Sequence, residues 1–138
     1  MENVSRAQIP AFGYEIIRDF TLSSILGKNE SDILYWAGKE LARKYPLETE
    51  VDVNSFFAEA GFGILTLQKE LKDGYIFELS NDPAVFNFEK RNFRLEAGFL
   101  ACQIETRLGF LTECYDEKDT KQKKVTLTIK WDAKAPVR

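Results

Sequence analysis

The sequence contains no histidine among its 138 residues. That excludes His-based catalytic triads, His-ligated haem and the usual zinc hydrolase sites, and it removes the commonest general base near neutral pH. Any catalysis would fall to carboxylates, Tyr, Lys or Cys. Cysteine is scarce too: Cys102 and Cys114 lie on different predicted elements without CxxC spacing, so neither a disulfide framework nor a structural zinc site is indicated. Both read as small buried hydrophobes, Cys102 on the sheet-facing stripe of its helix. No stretch approaches the ~18 uninterrupted apolar residues of a membrane helix, and "MENVSRAQIP" has no apolar run for a signal peptide. Basic excess is also missing. A formal charge of −3 and a pI of about 5.1 give no general attraction to phosphate backbones or anionic lipid. These absences predict a cytoplasmic chain with no nucleic-acid partner, no membrane insertion, no metal and no cofactor.

What is present fits one domain over residues 1–138, with 132–138 a frayed tail. "PAFGYEIIRDFTLSSILG" spaces Phe12, Ile16 and Phe20 four apart between Pro10 and Gly27 and reads as a first helix or two short ones. "NESDILYWAGKELARKYP" is a second helix, with Asn29 or Ser31 as N-cap and Pro46 as stop. "DVNSFFAEAG" is a short third, capped by Asp52 or Asn54. "ILTLQKELKDGYIFELS" then alternates, and a three-residue loop, Lys72 to Gly74 with Gly74 left-handed, sets Leu71 against Tyr75 and Leu67 against Leu79. "NFRLEAGFLACQIETRLG" is apolar on two sides, with Glu96, Gln103 and Arg107 between, and so is a sandwiched helix. "FLTECY" and "KKVTLTIKWD" close the chain as a second hairpin around a solvated "DEKDTKQKK" loop. The fold class is α+β: N-terminal helices, then hairpin, helix, hairpin, with helices on one face of a four-stranded antiparallel sheet. Ala97, Ala101, Gly38 and Ala42 would let two helices cross closely.

No constellation points firmly to chemistry. "GFG" at 61–63 lacks the third glycine and preceding strand of a nucleotide-binding loop, and reads as a helix stop before a strand. Glu113 and Cys114, adjacent on a strand, face opposite sides, and a neighbouring carboxylate disfavours a thiolate. Asp73, Glu78 and Asp82 do not have EF-hand spacing. The eleven Phe are chiefly core, and those near helix ends and loops (Phe56, Phe57, Phe62, Phe86, Phe88, Phe93, Phe99) could equally line a pocket.

"LYWAGKELAR", "AEAGFGILTL" and "RLEAGFLACQIETRLGFLTE" resemble the 4-vinyl-reductase domain and, more distantly, the small subunits of the TRAPP vesicle-tethering complex. Nearly the whole chain, through "YEIIRD" and "LYWAGKELARKYPL", is similar to the YslB-like bacterial family, with which no one activity comes. The wider resemblance implies a domain that binds a small hydrophobic molecule between helices and sheet, or a dimeric building block joined through its N-terminal helices. Cysteines of vinyl-reductase-type domains are not matched, the regions reading Asn92 and Phe93, then Asp116, then Val125 and Thr126; Glu113 remains.

The first expectation is thus a non-catalytic domain for a small apolar ligand, with Phe57, Phe62, Phe99 and Cys102 as pocket candidates. The second is a dimeric interaction or scaffold module whose core is filled by its own side chains. An empty cavity of ~300 Å³ would cost about 7 kcal/mol, so any such space must be occupied by ligand or protein. An enzyme comes third. Trp36 carries the dimer expectation, because it falls on the charged side of its helix with Lys39, Glu40 and Arg43 while the core stripe is complete without it. The competing reading lays it flat on Lys39 and Arg43. In a homodimer these four residues would meet Tyr14 and Arg18 of the partner's first helix, which lie off its apolar stripe.

Overall fold

The computed structural model describes residues 7–137. Its first element is one continuous helical rod, α1 (Ala11–Glu15), a wide π-helical stretch (Ile16–Thr21) and α2 (Leu22–Leu26), entered at Pro10 and ended by Gly27 at φ 55°. Residues spaced by four drift roughly 40° per step around a straight α-helix. The wide turn offsets that drift, so Tyr14, Arg18, Leu22 and Leu26 stay on one side and Phe12, Ile16 and Phe20 on another. A single 3₁₀ turn (Gly27–Asn29) leads into α3 (Glu30–Lys44). Helix α4 (Glu50–Glu59) begins earlier than Asp52, because Thr49 is the cap: its hydroxyl accepts from the Asp52 N–H at 3.1 Å.

Strands β1 (Ile64–Leu71), β2 (Gly74–Ser80), β3 (Phe110–Asp119) and β4 (Lys124–Pro136) form an antiparallel sheet of order β1-β2-β4-β3. The first hairpin corrects the expected register. Leu71 pairs with Gly74 across a two-residue turn, and a bulge at Gln68 then restores Leu67 to Phe77 and Leu65 to Leu79. One extra residue flips the alternation, so the bulge brings the apolar faces together where a longer loop had been expected to. Gly74 is not left-handed; it is glycine because a Cβ there would lie 2.1 Å from the Ile129 carbonyl oxygen. The second hairpin is longer than its sequence pattern indicated. β3 runs through the charged stretch to Asp119, and residues 132–136, expected as a frayed tail, continue β4, with Pro136 opposite Phe110 and the Val137 N–H on the Gly109 carbonyl at 2.9 Å. Ladder hydrogen bonds hold polar residues in a strand where side-chain patterning alone gives no signal.

Helix α5 (Arg94–Leu108), closed by left-handed Gly109, lies on the sheet with one side and receives α3 on the other; residues 96–104 are all buried. The sandwiched-helix expectation holds. Gly38 packs on the backbone of Leu95 and Phe99, and Gly98 on that of Tyr35. Phe57, Phe77, Leu79, Leu100, Val125, Leu127 and Ile129 complete the core.

Candidate functional site

The N-terminal rod sits on the body the opposite way round from an ordinary amphipathic helix. Its charged side points inward. Arg18 is 3% exposed and donates to Glu96 at 2.5 Å, to the Tyr14 hydroxyl at 2.7 Å and to the Asn92 carbonyl at 3.0 Å. Asp19 accepts both Nε and Nη2 of buried Arg91 at 2.8 Å, a bidentate pair. The Tyr14 ring lies 5.0 Å from the Arg91 guanidinium carbon. Burial raises the Tyr14 hydroxyl pKa against the opposing pull of Arg18. The same burial opposes the Arg18 charge, but Glu96 and Tyr14 outweigh it and hold the guanidinium charged.

Tyr14 and Arg18, expected on the partner-facing surface, therefore turn inward, because α5 presents Glu96 on the polar strip that faces them. Their place outside is taken by the apolar stripe: Phe12 is 67% exposed, and Ile16, Ile17, Phe20 and Ile25 are exposed with it. On α3, Ile33 and Trp36 are also exposed, Trp36 by 61%. Lys39 lies over the Tyr35 ring at 5.0 Å, and Arg43 pairs with Glu40, so neither cation covers the indole. Asp19 and Arg91 were not legible as partners, since 72 residues separate them; the only local hint was a charge pair, Arg18-Asp19, off an apolar stripe.

The four expected pocket residues are packed core. Phe57 and Phe99 are fully buried, Phe62 and Cys102 nearly so. Phe99 stacks on Phe56 at 4.6 Å between ring centroids, and Phe57 meets Phe62 edge-on at 5.3 Å. Between α4, α5 and the sheet, beside Val53, Phe77, Leu100 and Ile104, there remains about 10 Å³, room for no more than one water. A larger cleft of about 390 Å³ lies elsewhere, between α1 and the Pro83–Phe88 segment. Among the described residues no group of three or more Cys, Asp or Glu is placed to hold a metal, and no helix is long and apolar enough to cross a membrane.

Cys102 is buried, but the stripe it shares with Leu95, Gly98 and Phe99 packs on α3 and not on the sheet as expected, because Gly38 and Gly98 let the two helix backbones meet on that side; Cys114 is 1% exposed on β3. Burial, aided by Asp116 and opposed by Arg94, pushes the Cys114 thiol up. Both thiols are expected to react with a disulfide reagent at least about a hundredfold more slowly in buffer than in denaturant, since reaction requires opening of the core. Equal rates in the two conditions would contradict this packing.

The family described as "Protein of unknown function (DUF2507)" matches residues 11–130. The protein described as uncharacterized protein YslB of Bacillus subtilis (strain 168) is 41% identical over 141 residues, spanning 99% of this chain and 95% of that one. Among solved structures, a vinyl-4-reductase family protein from Methanocaldococcus jannaschii aligns with a TM-score of 0.65 at 18% identity, over 92% of this chain and 84% of that one. A trafficking protein particle complex subunit 3 from Naegleria fowleri, covalently bound to palmitic acid, aligns with a TM-score of 0.49 at 13% identity, over 93% and 92%.

Proposed function

For a chain that belongs to the DUF2507 family, we propose a non-catalytic, cytoplasmic role as a homodimeric interaction module whose contact surface is the outer face of the N-terminal rod together with Trp36. The observation that carries this reading is the inverted helix. Phe12, Ile16, Ile17, Phe20, Ile25, Ile33 and Trp36 are exposed while Arg18 and Asp19 are buried. At on the order of 100 Å² of uncovered surface each, these seven side chains amount to roughly 700 Å². That exceeds the ~300–600 Å² patch of an ordinary monomer and comes close to the ~800 Å² each partner contributes to a standard interface. The apolar outer face of the rod, flanked near Trp36 by the paired charges of Glu40 and Arg43, is compatible with itself across a two-fold axis, which favours a second copy as the occupant.

The self-filled core weighs against the small-apolar-ligand reading. Phe56, Phe57, Phe62 and Phe99 occupy the region between helices and sheet where such a ligand was expected.

Light scattering on the full chain tests the proposal. The expected mass at micromolar concentration is twice 15.9 kDa, and Phe20→Glu and Trp36→Glu are each expected to weaken association by about a hundredfold or more, as for central interface aromatics, with helicity unchanged. A wild-type monomer overturns the module. A dimer unaffected by either substitution places the interface elsewhere. Native mass spectrometry showing a copurified small molecule on a monomeric chain would restore the ligand reading.

A further inference from the structure

We propose that the groove between the start of α3, the Lys90–Arg94 segment and β3 is an anion site that takes a phosphate group. It has a volume of about 320 Å³, and its charged lining is Lys90, Arg91, Arg94 and Lys118 against Glu30 and Asp116. This is an excess of two positive charges, or one when Asp19 behind Arg91 is counted, in a chain whose net charge is −3.

The acids of the groove are engaged and several donors are not. Asp116 accepts from Arg94 at 2.8 Å, and Glu30 accepts from the Ser23 hydroxyl at 2.8 Å. Ser31 Oγ accepts from Asn92 Nδ2 at 3.1 Å, which leaves its own proton to donate. Among the described residues the Lys118 ammonium has a long contact of 3.4 Å to the Glu89 carbonyl, lies over the Phe88 and Phe93 rings and has no carboxylate in ion-pair reach. Its partial burial lowers its pKa, a penalty that a bound anion would offset. Arg91 is 1% exposed and its unpartnered Nη1 is itself buried, so Arg91 gives the groove wall charge and no direct contact. The contacts an anion would take are those of Lys90, Lys118 and the Ser31 hydroxyl, and the Lys118 ammonium held without an ion-pair partner is the observation that calls for a ligand. The positive end of α5 opens at the same place, with the Arg94 N–H already donating to Asn92 Oδ1 at 2.9 Å.

Donors from α3, the 90–91 segment and β3 converge on one volume from different directions. That suits the three terminal oxygens of a phosphate better than the two coplanar oxygens of a carboxylate. The volume lies at the small end of ligand sites, enough for a phosphate with a short organic remainder.

The test is a ¹H–¹⁵N NMR titration of the full chain with inorganic phosphate, run against chloride at matched ionic strength. Saturable shifts are expected at residues 30–31, 90–94 and 116–118 with phosphate and not with chloride. Lys118→Ala and Lys90→Ala, both at exposed positions, are expected to weaken binding by about tenfold, as for loss of one charge-assisted contact, whereas Lys130→Ala on the far face of the sheet should leave it unchanged. Shifts that fail to saturate, or that chloride reproduces, overturn the proposal. A second arm mixes the chain with phosphatidate vesicles and with phosphatidylcholine vesicles: cosedimentation with the former that Lys118→Ala abolishes identifies a lipid headgroup as the source of the phosphate. Saturable binding of inorganic phosphate without cosedimentation identifies a soluble one. Absence of both overturns the site. The groove is separate from the outer helix face, so a monomeric mass would not affect this result.

Discussion

Gly98→Ala is expected to remove about 3 kcal/mol or more of folding stability, lowering the melting temperature by roughly 10 °C or more. A Cβ at position 98 would lie 2.0 Å from the Tyr35 carbonyl oxygen and 2.9 Å from its carbon. These are backbone atoms of α3 and cannot rotate away. Gly38→Ala meets the same obstacle from the other helix, 2.1 Å from the Leu95 oxygen and 2.7 Å from the Phe99 nitrogen. Alanine gains up to ~1 kcal/mol in intrinsic helix propensity over glycine, but that gain is smaller than the cost of separating two packed helices. Gly13 is the control. It lies in α1 with nothing within 4 Å of its added Cβ, so Gly13→Ala should stabilise by ~0.5–1 kcal/mol. Thermal unfolding of the three variants checks the reading, and a Gly98→Ala protein as stable as wild type would mean that α3 and α5 do not cross this closely.

Of those two glycines, Gly38 was legible as a crossing residue, whereas α5 meets it with Gly98 and not with the expected Ala97 and Ala101. Small residues on α3, and an α5 apolar on two sides, indicated a close crossing and a sandwiched helix before any coordinates, because both are periodic signals within one element. The first hairpin was not legible in the same way. The Asp-Gly signal points to a turn at Asp73-Gly74, one position late, and the bulge at Gln68 that makes the actual Lys72-Asp73 turn compatible with the core is set by pairing to β2. The orientation of the N-terminal rod was missed for a related reason. Its stripe of Phe12, Ile16 and Phe20 gives the helix but not the direction it faces. That direction is decided by Glu96 and Arg91, more than 70 residues away in the chain. The pocket residues were recognised as aromatic and central; whether rings leave or fill a space depends on their packing angles, which composition does not contain.

Glu96→Leu is expected to destabilise the protein by about 3–5 kcal/mol, the cost of stranding a buried charge. Arg18 would keep only the Tyr14 hydroxyl and the Asn92 carbonyl, and its guanidinium cannot shed its proton to escape. Replacing both partners, Arg18→Met with Glu96→Leu, should recover most of that loss, since the desolvation of two ions is then no longer incurred. The pair is thus a poor source of stability, and its value lies in direction. With Arg18 seated on Glu96 and Asp19 on Arg91, only the charged side of the rod can face α5, and Phe12, Ile16 and Phe20 are left outward. Once Arg18 and Glu96 are apolar, one of the two constraints on that orientation is gone, and turning the stripe inward becomes competitive with exposing it. The double variant is therefore expected to fold with near wild-type stability and to associate at least about tenfold more weakly, a loss of ~1.4 kcal/mol. Chemical denaturation and light scattering on the same samples separate the two effects. A double variant as unstable as Glu96→Leu would make the pair a net stabiliser, and one that dimerises like wild type would show that Asp19 and Arg91 alone hold the helix in phase.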